Sequence, residues 1–295
     1  MELRKLLKNE YPRQLLEIPQ PPKELWIMGE LPPSNFVYLC IVGSRKHTSY
    51  GKDSCQKLIA GLKGYPIAIV SGFAFGIDTI AHQSAIDANL PTIVFPGSGL
   101  SKNRIYPRTN FNMVQKILSS GGCFISEFEP NFKATPWAFP MRNRLMAGIS
   151  KAVLIIEAEE KSGTLITARL ATDYNKDVFA LPGSIFSTSS KGANKLIRQG
   201  AVPITSSSDI LEALGFESDN TLEEERNKTQ AKLFENLSTE EKSVLKILRE
   251  PFQKDDLLRA MRTTMNINTA KANIILSMME IKDLIIDEAG IIRIR

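Results

Sequence analysis

Seven short apolar runs punctuate residues 36–205: Phe36–Val42, Ile67–Val70, Thr92–Phe95, Cys123–Ser126, Ala152–Ile156, Val178–Leu181 and, more weakly, Ala201–Ile204. Most are nearly continuous rather than alternating. A strand with one face in water alternates; a strand covered on both faces does not. Amphipathic stretches around 50–63, 76–89, 107–119, 162–175 and 191–199 separate the runs and read as helices. Strand, helix, strand, helix at this spacing predicts an α/β fold, a doubly wound and mostly parallel sheet over 36–215.

The flanks read differently. Residues 1–35 form an N-terminal extension, whose proline-rich YPRQLLEIPQPPKELWIMGELPP is expected to wrap the domain edge. Residues 216–236 include FESDNTLEEERNKTQ, polar and without an apolar face, and are expected to be a linker. From 237, LSTEEKSVLKILRE opens with a Ser/Thr cap, then Glu240 and Glu241, then Val244, Leu245, Ile247 and Leu248 on one face. DDLLRAM and NTAKANIILSMMEIKDL follow, and LIIDEAGIIRIR reads as a hairpin. Three helices and a terminal hairpin predict a small winged-helix domain over 237–295.

Composition excludes some classes and biases others. No apolar run approaches the length of a membrane span, and MELRKLLKNEYPRQ is too charged for a secretory leader, so a cytoplasmic location is expected. Cys40, Cys55 and Cys123 match no zinc spacing, and Cys40 and Cys123 sit in apolar runs suited to core packing. Residues 1–215 carry 24 Lys/Arg and 17 Asp/Glu, net +7, whereas 216–295 carry 13 and 15, net −2. An acidic partner therefore belongs with the first part of the chain.

Ligands of open parallel sheets bind outside the carboxyl ends of the strands. The segments leaving the runs are Gly43-Ser44-Arg45-Lys46, Ser71-Gly72-Phe73-Ala74-Phe75-Gly76, Pro96-Gly97-Ser98-Gly99, Glu157 with Ser162-Gly163-Thr164, and Pro182-Gly183-Ser184. One glycine turn is only a tight turn. Several on one rim, with basic residues beside them, point to phosphate binding. SGFAFG is not a dinucleotide fingerprint, and Pro107 sits badly in a helix opening at Gly99. No triphosphate loop is present. Asp78 and His82 share one helix face; an acid/base pair is conceivable, but a structural hydrogen bond is favoured because no nucleophile stands nearby in sequence. His47, in a polar loop, reads as solvated.

SGFAFGIDTIAH, FPMRNRLMAGIS, VLIIEAEEKSGTLITARLA, VFALPGS and GANKLIRQGA occur in that order. Together they closely resemble the DNA-processing protein A family (DprA, also called Smf), as do the proline-rich segment and IVGSRKHTSYG. The resemblance covers about residues 11–214, and the C-terminal part is similar to the family's winged helix. Little chain precedes Tyr11, so the separate N-terminal helical domain of some members is not expected. The resemblance implies a Rossmann-like domain that binds single-stranded DNA, protects incoming strands in natural transformation, helps load the RecA recombinase and forms a homodimer. It implies no catalytic turnover, cofactor or metal.

A single strand needs a basic groove for phosphates and aromatic rings for bases. Arg45 matches the family's GxR-type turn and is the first candidate, with Gly43, Ser44, Lys46 and Gly72 around it. Arg142, Asn143 and Arg144 of FPMRNR come next, then Lys161 before Ser162, Gly163 and Thr164; Lys195 and Arg198 are weaker. Phe139 and Phe73 could stack on bases, with core packing the alternative, favoured for Phe73. Either arginine of FPMRNR could instead anchor Glu157 or Glu127. From other classes come a nucleotide-binding sensor and an N-glycosidic hydrolase with Glu157 as its acid. Within the winged helix, NTAKANIILSMMEIKDL offers only Lys271 and Lys282, the terminal hairpin adds Arg293 and Arg295, and a protein-contact or regulatory role is as strong as duplex binding.

Overall fold

The computed structural model describes residues 2–217, 237–248, 250–288 and 290–294. It divides into two compact units, Met1–Ser218 and Asp219–Arg295. The first holds a nine-stranded sheet. Its strands are β1 (Leu3–Lys5), β2 (Trp26–Gly29), β3 (Val37–Val42), β4 (Ile67–Ser71), β5 (Thr92–Val94), β6 (Cys123–Ser126), β7 (Ala152–Ile155), β8 (Asp177–Ala180) and β9 (Val202–Pro203). Their order is β1-β2-β6-β5-β4-β3-β7-β8-β9, parallel from β6 to β9. Each run read from the sequence forms a strand, and the sheet is α/β, doubly wound and mostly parallel.

The absence of alternation has the expected cause. Leu39 and Ile41 point into one core with Cys55 and Leu58 of α2 (Ser49–Ala60) and Ala81 of α3 (Ile77–Asp87). Cys40 and Val42 point into the other, with Leu145 of α5 (Ala138–Ile149) and Ala168 of α6 (Thr164–Asp173). Successive strand residues face opposite ways, so helices on both faces bury both sets. Each such aliphatic side chain contributes about 1.5–3 kcal/mol by leaving water.

The N-terminal segment does more than wrap an edge. β2 pairs antiparallel with β6, Trp26 opposite Ser126 and Met28 opposite Phe124, and β1 pairs with β2. Leu15 and Ile18 join the same core as Leu145. A Cβ on Gly148 of α5 would stand 2.6 Å from Ile18, so bare backbone sets this approach.

Residues 138–149 are helical, a stretch that periodicity leaves unassigned. Pro140 lies in the first turn of α5, where its missing N–H costs nothing. Arg142, Arg144, Leu145, Met146, Ala147, Gly148 and Ile149 are all buried. A helix enclosed this widely has no polar face to show in its sequence. The remaining helices of this unit are α1 (Arg13–Leu16), α4 (Phe111–Ser119), α7 (Lys191–Arg198) and α8 (Ser207–Leu214). Phe216, within the expected linker, packs edge-on against Tyr65 with ring centroids 5.7 Å apart. Residues 218–236 of that expected linker lie outside the described residues.

The second unit contains α9 (Thr239–Ile247), α10 (Lys254–Met265) and α11 (Thr269–Ile281). Strands β10 (Phe252–Gln253), β11 (Ile285–Glu288) and β12 (Ile291–Ile294) form an antiparallel sheet in the order β10-β12-β11. The three helices and terminal hairpin read from the sequence are present, and β10 is an addition. Ser238 and Glu241 form a reciprocal cap on α9, with Ser238 Oγ accepting from Glu241 N at 3.1 Å and Glu241 accepting from Ser238 N at 2.8 Å. Val244, Leu257, Met261, Leu276, Met279 and Ile292 build the core.

Candidate functional site

The chain winds outward from β3 through β4, β5 and β6, then returns to β7 and winds the other way. Loops leaving β3 and β7 therefore part above the sheet, the place where an open α/β sheet offers a crevice. A groove of about 650 Å³ lies there. Gly43, Ser44, Arg45 and Lys46 line one wall, Phe139, Arg142 and Asn143 of α5 another, and Ser162, Gly163 and Thr164 a third.

Glycine makes the first wall possible. A Cβ on Gly43 would meet Ile77 at 2.6 Å, and one on Gly76 would meet the Ser44 carbonyl at 2.3 Å. Gly76 also has φ +78, and the N–H of Ile77 beside it donates to Ser44 O at 3.2 Å. The Arg45–Lys46 turn is thus pressed onto the start of α3, leaving both side chains exposed. The Arg45 guanidinium stands 5.6 Å from the Phe139 ring centre, a cation–π contact. The third wall is tied to the first by Thr164 Oγ1, which donates to Gly43 O at 3.1 Å. Helix α6 begins at Thr164, and its N-terminus adds partial positive charge.

Arg142 forms the floor. Its guanidinium donates to the carbonyls of Gly72 and Phe95, joining the exits of β4 and β5, and its Nε donates to Asn143 Oδ1 at 3.0 Å. A Cβ on Gly72 would meet Arg142 Nη1 and Asp78 Oδ2, each at 2.5 Å, so that residue makes room for the pair. Burial pulls the Arg142 pKa down to about 10, opposed by Asp78, so it stays charged at neutral pH. Burial raises the Asp78 pKa, opposed by Arg142 and by the Ala74 N–H at 3.2 Å. Arg142 is therefore mainly a brace that sets positive charge under the groove.

Arg144 follows the alternative weighed for it, an ion pair. It lies outside the groove lining, pairs with Glu127 and donates to Gln20 O at 2.7 Å. Two residues along a helix turn through about 200°, so Arg142 and Arg144 cannot face one groove. Of the two anchors weighed for these arginines, Glu127 is the one used. Burial raises the Glu127 pKa, opposed by Arg144.

The other expected residues separate. Lys161 is exposed beside the groove-lining Ser162, and Lys195 is exposed on α7, away from the lining. Gly72 borders a smaller notch. Phe73 is fully buried, edge-on to Phe124 with centroids 5.3 Å apart, so its role is packing. Phe139 is half-buried and reaches the groove. Glu157 is buried outside the lining. His82 and Asp78 do not form a pair: His82 Nδ1 lies 2.7 Å from Thr92 Oγ1, a structural bond, and burial lowers the His82 pKa to about 3. All three cysteines are buried, and burial raises their thiol pKa values. Sequence reading missed Pro136, Met146, Glu159 and Ile166 in the lining. Recognising α5 as a helix was the signal that could have placed Met146, which lies on it.

A doubly wound sheet with an open crevice at its switch point, walled by glycine turns and exposed cations, defines a Rossmann-like α/β protein. The chain belongs to the DNA recombination-mediator protein A family, whose model matches residues 3–215. It is 40% identical over 206 residues to Protein Smf of Escherichia coli (strain K12), covering 70% of this chain and 54% of that protein. It is 38% identical over 211 residues to DNA processing protein DprA of Streptococcus pneumoniae, covering 72% of this chain and 73% of that one. This chain thus spans about half the length of the E. coli relative. The solved S. pneumoniae DprA structure superposes with a TM-score of 0.66 at 38% identity, covering 73% of this chain and 74% of that one. Helicobacter pylori DNA processing protein A, described for its single-stranded DNA binding mode, gives 0.64 at 32% identity, covering 72% and 95%. Among the described residues no helix is long and apolar enough to cross a membrane.

Proposed function

We propose that the groove binds single-stranded DNA. In this reading the protein is a non-enzymatic recombination mediator that protects incoming strands, helps load RecA and works as a cytoplasmic homodimer. The observation that carries it is the convergence of Gly43–Lys46 and Ser162–Thr164 on one open groove beside exposed Arg45, Lys46 and Lys161. Arg45, Lys46 and Lys161 contact phosphates, Asn143 supplies a polar contact, and Phe139 offers a ring to a base. The H. pylori relative, described for single-stranded DNA binding, supports the same reading. We read the second unit as a winged helix with a protein-contact or regulatory role, given its net charge of −2 over 216–295.

The hydrolase reading has less support. Glu157 accepts hydrogen bonds from Thr48 N, Thr48 Oγ1 and Ser189 Oγ, which leaves it poorly placed to act as an acid in the groove. Fluorescence anisotropy with labelled single-stranded and duplex oligonucleotides across a salt series tests the proposal. Preference for the single strand with a steep salt dependence is expected. Weak binding to both without a salt slope defeats it.

A further inference from the structure

The groove does not end at Phe139. A notch adjoins it, sharing Arg45, Phe139 and Arg142 with the groove and bordered beyond them by Phe75 and Tyr106. Phe75 is 44% exposed and Tyr106 46% exposed, so part of each ring is open to solvent beside the groove. The Tyr106 and Phe139 centroids are 6.0 Å apart at 51°, so the rings continue one another from groove to notch. The notch encloses only about 40 Å³, little more than one water molecule. A nucleobase cannot enter it, but one can lie across its aromatic rim.

Charge and rigidity point the same way. Between Asp87 and Glu127 the chain has no acidic residue. The loop carrying Tyr106 displays Lys102, Arg104 and Arg108, all exposed and without an acidic partner among the described residues. Asn110 clasps this loop to the Phe75 turn, its Nδ2 donating to Phe73 O at 3.2 Å and to Thr79 Oγ1 at 2.9 Å. Thr79 Oγ1 in turn donates to Ala74 O at 2.7 Å. Phe73, at φ +77, drives its own ring into the core on the same turn that leaves Phe75 outside. The two exposed rings are therefore held in place before any ligand arrives.

We propose that the notch is a second, base-stacking station for the same nucleic-acid strand. The strand leaves the groove past Phe139, stacks a base on Tyr106 and Phe75, and has its phosphates drawn by Lys102, Arg104 and Arg108. This rests on the single-strand reading of the groove.

The test uses the full chain, thymidine oligonucleotides and a salt series. Tyr106→Ala and Phe75→Ala are expected to weaken binding about fivefold to a hundredfold, the range for one lost base–aromatic stack. Stacking releases no counterions, so the salt slope stays at the wild-type value, and Tyr106→Phe binds as wild type does. Wild-type protein irradiated with a 5-iodouracil oligonucleotide is expected to cross-link at Tyr106 or Phe75. Unchanged affinity in folded alanine variants, or cross-links confined to Phe139, overturns the station while Arg45→Ala still weakens binding and the groove reading stands. Failure of the wild-type protein to bind any single strand removes both.

Discussion

Thr48 holds Glu157 by two hydrogen bonds, its N–H to one carboxylate oxygen at 3.0 Å and its hydroxyl to the other at 2.6 Å. Ser189 Oγ adds a third at 3.3 Å, so one buried carboxylate fastens the loop after β3 to the loop after β8. Gly51 packs against it so closely that a Cβ there would stand 2.4 Å from the Glu157 carboxyl carbon. Glu157→Ala leaves the buried Ser189 hydroxyl and the two Thr48 donors without this acceptor and is expected to lower stability by about 1–3 kcal/mol in urea unfolding. No nucleotide hydrolysis is expected from either protein. Hydrolysis lost in the variant would restore the enzymatic reading.

Arg144 and Glu127 pair with side chains only 8% and 13% exposed. Removing one partner strands the other's charge, so Arg144→Ala is expected to cost about 3–5 kcal/mol. The fraction that remains folded keeps its single-strand affinity. A fall in affinity comparable to that of Arg45→Ala, without loss of stability, would return Arg144 to the DNA site.

Arg45→Ala is expected to weaken binding to all single-strand sequences and to lower the salt slope by about one, with no change in melting temperature. Lys161→Ala follows the same pattern. A wild-type slope in folded Arg45→Ala contradicts the phosphate contact.

Two glycines, Gly163 of the groove wall and Gly76 behind the Arg45 turn, part company. A Cβ on Gly76 collides with the Ser44 carbonyl at a positive φ, whereas one on Gly163 meets nothing within 4 Å. Gly76→Ala is expected to destabilise the fold and displace the Arg45 turn, weakening binding. Gly163→Ala leaves stability within about 0.5 kcal/mol. Thermal melts with anisotropy on both variants check the contrast.

His82 sets a pH dependence. Burial, with Arg142 adding to it, lowers its pKa from 6.5 to about 3, so the folded protein holds it neutral while the unfolded chain protonates it below about 6.5. Its contribution to stability is complete above pH 6.5 and declines as pH falls toward 3. Between pH 6 and 5 the His82 contribution declines by up to about 1.4 kcal/mol per pH unit, while the buried carboxyls of Asp78 and Glu127, with raised pKa values, act in the opposite sense as they protonate. His82→Gln is expected to flatten this slope in chemical unfolding. An equal slope in both proteins rules His82 out as its source.

The strands were legible because burial on both faces leaves continuous apolar runs, as at Ile67–Val70. Gly43–Lys46 and Ser162–Thr164 were legible because a chain approaching an anion, or a neighbouring loop, needs small residues at strand exits. Helix α5 was not, since enclosure removed its polar face. The grouping of Arg144 with Arg142 follows directly: without a helix, the two look like neighbours, and only the 3.6-residue turn separates them. Strand β2 was hidden by the prolines around it, and its pairing depends on Phe124 and Ser126, far along the chain.

That pairing has a consequence for how the protein is made. Residues 26–29 emerge from the ribosome early, yet their partner strand, 123–126, follows only after β3, β4 and β5. At ribosomal speeds of about 5–20 residues per second, the first apolar segment waits on the order of several seconds for the edge it will complete. Until then Leu25 and Ile27, almost wholly buried at the end, stand in water or in the keeping of a chaperone. The last act of assembling this half of the sheet is thus performed by its oldest piece of chain.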